Sequence, residues 1–138
     1  MKVVINDSKT GNTYQRELEA GKKAQLTGKK ISDVVDGALV GLLGYELKIT
    51  GGSDTDGAPM RFDVPGVRRL QVVLSRGPGV KHLKRGSKLK KRVTGNVVSD
   101  RTAQLNTKIE KYGEKPLADL GFVPKPKEEK AKPDAAKA

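Results

Sequence analysis

Asp54 and Asp56 stand two positions apart inside "ITGGSDTDGAPM" (residues 49–60). Carboxylates at that spacing open calcium loops and can serve as acid–base pairs. A calcium loop begun at Asp54 would place Ala58 at the third ligand position and Pro59 where a glycine is required, with no bidentate Glu following at the right distance. Catalysis would need further polar groups converging in a pocket. The backbone chemistry is stronger. Gly51, Gly52 and Gly57 can take φ > 0 where other residues are strained. Ser53, Asp54 and Asp56 can accept hydrogen bonds from nearby amides and fix tight turns, and Pro59 stiffens the exit. The segment is therefore expected to be rigid without a ligand, its acids acting as internal acceptors. It could equally set glycine amides or Arg61 against a phosphate. No metal and no cofactor are expected.

Other chemistry-bearing patterns do not complete. "GKKAQLTGKK" (21–30) has Lys23 where a phosphate loop needs glycine and Lys30 where it needs Ser or Thr for magnesium. "GPGVKH" (77–82) lacks the third glycine of a dinucleotide fingerprint. His82 is the only histidine and there is no cysteine, which excludes His clusters, thiolate sites and disulfides. The missing cysteines fit a reducing cytoplasm. A hydrolase using Asp54 and Asp56 stays open as an alternative, with no metal-dependent turnover expected.

Charge carries more information. The 138 residues hold 28 Lys+Arg against 16 Asp+Glu, a net +12. From Val64 to Ser99 there is no acid at all, while Arg68, Arg69, Arg76, Lys81, Lys84, Arg85, Lys88, Lys90, Lys91 and Arg92 all fall there. Outside that window 18 basic residues face 16 acidic ones. A one-sign stretch repels itself until an anion neutralises it, so a polyanionic partner is expected. A membrane surface would call for an amphipathic helix, and Gly86 interrupts Val80, Leu83 and Leu89. Nucleic acid is the better fit. His82 is the only flat ring in the window, so shape and phosphate contacts are expected rather than base-by-base reading.

These residues must be held by a turn-rich scaffold: 16 glycines in the chain are about 12%, against about 7% in average usage. "KVVIN" (2–6) and "TYQREL" (13–18) flank turn residues and predict an N-terminal hairpin. A helical turn is expected within 17–28, kept short by Gly21. Ile31, Val34, Val35, Leu39, Val40, Leu42, Leu43, Leu47 and Ile49 are candidate core residues, with "YELKIT" (45–50) as a strand. "VRRLQVVLS" (67–75) is expected to be the central strand. Residues 76–92 are expected to be a long extended arm, followed by strands over 92–99 and 102–113. In the last of these, Ala103, Leu105, Thr107 and Ile109 alternate with polar residues. "KPLADLGF" (115–122) is expected to close the domain with a helical turn. Residues 123–138, rich in Pro, Lys, Glu and Ala, predict a disordered tail.

The segment 49–60 also resembles the signature of the small-ribosomal-subunit protein six family of archaea and eukaryotes. Ile49, Thr50, Gly51, Gly52, Asp54, Gly57, Pro59 and Met60 meet every fixed position of that pattern. The likeness continues through 72–100, 105–120 and 28–37, about residues 1–122 in all. No serine follows Ser99, so the phosphorylated-serine extension of eukaryotic members is not expected, and the chain looks like an archaeal-type member. The resemblance implies a mostly β fold: a small β-barrel-like domain over 1–122 with a long basic loop, short helical turns and the tail. It implies a structural constituent of the cytoplasmic small ribosomal subunit with no enzymatic activity and no small-molecule substrate, with ribosomal RNA and neighbouring ribosomal proteins as partners and no membrane. The expected RNA contacts are Arg76, Lys81, His82, Lys84, Arg85, Lys88, Lys90, Lys91 and Arg92, then Arg61, Arg68 and Arg69. The runner-up function is a basic protein that coats nucleic acid away from the ribosome.

Overall fold

The computed structural model describes residues 1–117 and 119–122. The expected tail lies outside the described residues.

The N-terminal hairpin forms where turn residues interrupt two β-prone runs. Strand β1 (Lys2–Asn6) pairs antiparallel with β2 (Thr13–Glu17). Asp7, buried at the bend, accepts from the Lys9 amide at 2.9 Å, the Thr10 hydroxyl at 2.6 Å and the Tyr112 hydroxyl at 2.5 Å. Burial alone would raise its carboxyl pKa, but these donors outweigh burial and hold it below the ordinary value. A short helix α1 (Ala20–Leu26) follows and buries Leu26. A three-residue strand, β3 (Val34–Asp36), leads into a 3₁₀ turn (Gly37–Val40).

Strand β4 (Glu46–Asp54) runs well past the expected 45–50 and takes up the first half of the glycine-rich segment. It pairs antiparallel with β7 (Thr102–Lys111), and β7 pairs in parallel with β1. The five-stranded sheet has the order β2-β1-β7-β4-β3. The period of two in β7 is realised: Leu105, Thr107 and Ile109 point into the core. Leu105 opposes Val3, and Ile109 opposes Leu47. Around them pack Ile5, Leu26, Val40, Leu42, Ile49, Val98 and Phe122. The closing segment docks through Leu117 and Phe122, whose ring meets Tyr14 edge-on at 5.9 Å.

The other two strands, β5 (Arg69–Leu74) and β6 (Leu89–Thr94), pair only with each other. Three expectations are corrected here. Residues 67–75 are not a central strand: Val73 is 62% exposed, Val67 is also exposed, and only Leu74 of that run is buried. Val34 and Leu43 are likewise exposed instead of core. No closed barrel forms among the described residues, because β5 and β6 leave the main sheet with five strands and two separate edges. Those edges resist pairing: β3 is three residues long, and all of β2 but Tyr14 is exposed.

Candidate nucleic-acid interface

The segment 49–60 joins the two sheets. In β4 the register against β7 slips between Ile49 and Gly51, where Thr50 bulges out and its hydroxyl donates to the Asn106 carbonyl at 3.1 Å. Gly52 then passes so close to β7 that a Cβ there would collide with the Gln104 carbonyl oxygen and sit 3.1 Å from Met60 Sδ. The chain turns at 54–58, with the Gly57 amide on the Asp54 carbonyl and the Asp54 amide on the Ala58 carbonyl, each at 2.9 Å. Gly57 makes the turn at φ +79°. Gly51 has neither a positive φ nor a crowded Cβ position, unlike its neighbour. Coming back, Ser53 bridges Pro59, and the Met60 amide donates to the Gly52 carbonyl. Met60 then bridges Thr94 at the end of β6, with the Thr94 amide on Pro59 at 2.9 Å and the Arg61 amide on Thr94 at 3.0 Å.

The two acids of the turn bind an arginine of the chain itself. Asp54, 3% exposed, accepts from Arg69 Nε and from the Thr55 amide and hydroxyl. Arg69 Nη1 donates to Asp56 at 2.5 Å. The Arg69 contact holds the Asp54 carboxyl below its ordinary value against the opposing effect of burial. Arg69 and Asp54 are thus charged partners across the junction between β5 and the turn. Among the described residues, no three His, Cys, Asp or Glu side chains group as a metal would need.

Arg61 is also turned inward. Its guanidinium forks onto Asp63, with Nε and Nη2 each at 2.9 Å, and Nη1 donates to the carbonyls of Pro78 at 3.0 Å and Arg76 at 3.4 Å. The pair holds Asp63 below the ordinary carboxylate value. Arg61, 8% exposed, fastens the start of the β5–β6 connection to the end of the turn. Of the expected RNA contacts, Arg61 and Arg69 thus have guanidiniums engaged by the chain's own acceptors. Arg61 and Asp63 meet across a turn, in which the Val64 amide donates to the Arg61 carbonyl at 3.4 Å.

The remaining basic residues behave differently. Arg68, Arg76, Lys81, Lys84, Arg85, Lys88, Lys90, Lys91 and Arg92 are all exposed, and among the described residues none has a carboxylate within ion-pair distance. The expected arm of 76–92 divides: residues 75–88 link the strands through turns and bends, and Leu89 onward is β6. Leu89, Lys90, Lys91 and Arg92 are exposed in succession, so both faces of that half of the ribbon meet solvent. Lys90 opposes Val73 and Lys91 opposes Val72 across the ribbon. His82, also exposed, holds a left-handed backbone at φ 53°. Between the turn and the ribbon lies an open groove of about 680 Å³, lined by Asp56, Gly57, Ala58 and Pro59 on one side and by Gly79, Lys81, Leu89, Lys91 and Arg92 on the other. Arg69 engages the Asp56 carboxylate of this lining, while Lys81, Lys91 and Arg92 have no carboxylate partner among the described residues. Among the described residues no helix is long and apolar enough to cross a membrane.

Residues 1–121 match the family model described as Ribosomal protein S6e. The chain is 44% identical over 119 residues to the small ribosomal subunit protein eS6 of Methanocaldococcus jannaschii, covering 86% of this chain and 88% of that protein. It is 45% identical over 120 residues to the protein of the same name from Archaeoglobus fulgidus, covering 86% and 93%. It is 41% identical over 128 residues to the one from Methanosphaera stadtmanae, covering 93% and 97%.

Proposed function

Because the chain belongs to the ribosomal protein S6e family, we propose that it is a structural, non-catalytic constituent of the small ribosomal subunit in the cytoplasm. It binds ribosomal RNA through phosphate contacts and lies against other ribosomal proteins. The observation that carries the RNA contact is the set of nine exposed cations on the β5–β6 ribbon and its connections, none with a carboxylate partner among the described residues, beside a groove lined by three of them. Ammonium and guanidinium groups without carboxylate partners suit phosphate oxygens. The five-stranded sheet supplies the stable body, and the turn at 53–61 fixes the ribbon to it.

The test replaces Lys81, Lys84, Arg85, Lys88, Lys90, Lys91 and Arg92 with serine. The expected result is loss from small subunits on a sucrose gradient with cooperative thermal unfolding retained. If the parent chain makes six to ten phosphate contacts, its affinity for small-subunit RNA falls about 10³–10⁵-fold between 50 and 200 mM salt. Normal incorporation of the serine variant, or salt-independent affinity in the parent, would overturn the proposal. A parent chain that sediments free of subunits would instead favour a coating protein.

A further inference from the structure

Phe62 is 70% exposed, and the backbone around it is tightly fastened. On one side, the Arg61 amide is bonded to Thr94, and the Arg61 guanidinium grips Asp63, Arg76 and Pro78. The Phe62 carbonyl itself accepts from Asn96 Nδ2 at 3.4 Å. On the other side, Val64 is buried and its carbonyl accepts from the Asn96 amide at 2.8 Å. Gly66 and Arg68 are tied to residues 95–97 by three further backbone or side-chain bonds. Gly95 lies against Gly66 so closely that a Cβ on it would overlap the Gly66 carbonyl oxygen. The ring is therefore presented outward from a segment that has little freedom to fold it away.

Single exposed apolar side chains are ordinary. The setting of this one is not. The nearby Asp63 carboxylate is taken by Arg61, and Arg68 is exposed and unpaired. Arg61 bonds to the first residues of the cationic connection, so the ring stands at its base. A flat apolar face on the residue next to Arg61, which is bonded to the start of the cationic connection, suits a nucleotide, whose base offers a π surface and whose phosphate offers charge.

We infer that Phe62 is a stacking platform for an unpaired RNA base next to the phosphates held by the ribbon. This rests on the proposed RNA contact of that ribbon. A rigid ring with few torsions to freeze loses little entropy on binding, which favours such a role.

The test uses the full chain with oligoadenylate and with an abasic RNA backbone of the same length. Phe62→Leu keeps an apolar side chain but removes the ring. It is expected to weaken oligoadenylate binding about 5- to 150-fold, the effect of losing one base–aromatic stack, and to leave abasic binding unchanged. The chain has no tryptophan, so Phe62→Trp adds a single fluorophore, expected to be quenched by oligoadenylate and not by the abasic strand. Unchanged thermal unfolding in both variants separates the readout from misfolding. The inference is overturned if the parent binds both strands equally, or if the tryptophan stays silent while labelled RNA shows binding. It is also overturned if Phe62→Leu binds oligoadenylate normally but loses a protein neighbour in reconstituted subunits, which would assign the ring to protein. Failure of the parent to bind either strand in a salt-dependent way would instead sink the phosphate proposal itself.

Discussion

In the five-stranded sheet, inward positions meet other buried side chains: Val3 against Leu105, Leu47 against Ile109, with Leu42, Val98 and Phe122 filling the layer above. On the β5–β6 ribbon only Leu74, Val93 and Thr94 are buried, and its small apolar cluster adds the buried Val64, with Leu70, Val72 and Val80 half-covered. The acid-free window 64–99 puts ten Lys and Arg on the ribbon and its connections, nine of them without a carboxylate partner among the described residues. Acids and bases are mixed over the rest, where two of the five ion pairs among the described residues, Lys2–Glu17 and Lys111–Glu46, lie on strands of the main sheet. The other three gather at the junction. Burial and unbalanced charge have been placed in different parts of one chain. Repulsion among the cations is concentrated where few packing contacts depend on it, and the acidic turn anchors the ribbon through the Arg69 ion pairs and the backbone bonds to Thr94.

If that contrast holds, the same kind of truncation should have very different effects on the two parts. Leu105→Ala, in the middle of β7, is expected to lose about 2–5 kcal/mol in urea denaturation. Val73→Ala, on the exposed ribbon face, should stay within about 0.5 kcal/mol. Equal losses would break the comparison. A finer probe lies at the junction, where Gly52→Ala forces a Cβ into β7 and is expected to cost about 1–3 kcal/mol. Gly51→Ala, one residue earlier, meets open space and should fall within about 0.5 kcal/mol. Similar effects at both glycines would show that the close approach at Gly52 does not constrain the strand.

The smallest expected effect depends on pH. The folded-state pKa of Asp54 is depressed below its ordinary 3.8, chiefly by Arg69. Its contribution to stability is therefore full above 3.8 and is lost as pH falls through the depressed value. Asp7 and Asp63 are depressed too, so the parent chain weakens in acid for several reasons. They are common to Asp54→Asn and cancel in the difference. The gap in denaturation midpoint between parent and variant should be constant from neutral pH down to about 4 and then narrow. A gap that stays constant or widens in acid would show that the Asp54 charge does not hold the ribbon.

Much of the main sheet was legible before any coordinates. The N-terminal hairpin and β7 follow from turn residues and from strict alternation, both local signals. The ribbon was misjudged because apolar content alone marks a strand and not its depth. Leu70, Val72, Val73 and Leu74 read as central, but two strands with no further partners cannot cover both faces. The acid-free window was plain in the composition. Its division into inward and outward arginines was not, because Asp54 and Arg69 are fifteen positions apart and only the fold brings them together. The exposure of Phe62 was equally hidden, since its neighbours Arg61 and Val64 are buried.

The parallel pairing of β1 with β7 also bears on the order in which this molecule is assembled. Lys2–Asn6 finds its partner only when Gln104–Lys108 is available, so the main sheet cannot complete during synthesis until nearly the whole described chain has emerged. The β5–β6 hairpin, closed over fourteen intervening residues, needs no such wait, because short loops close at less entropic cost and sooner. The strands of the cationic hairpin therefore both leave the ribosome before the body they sit on can be finished.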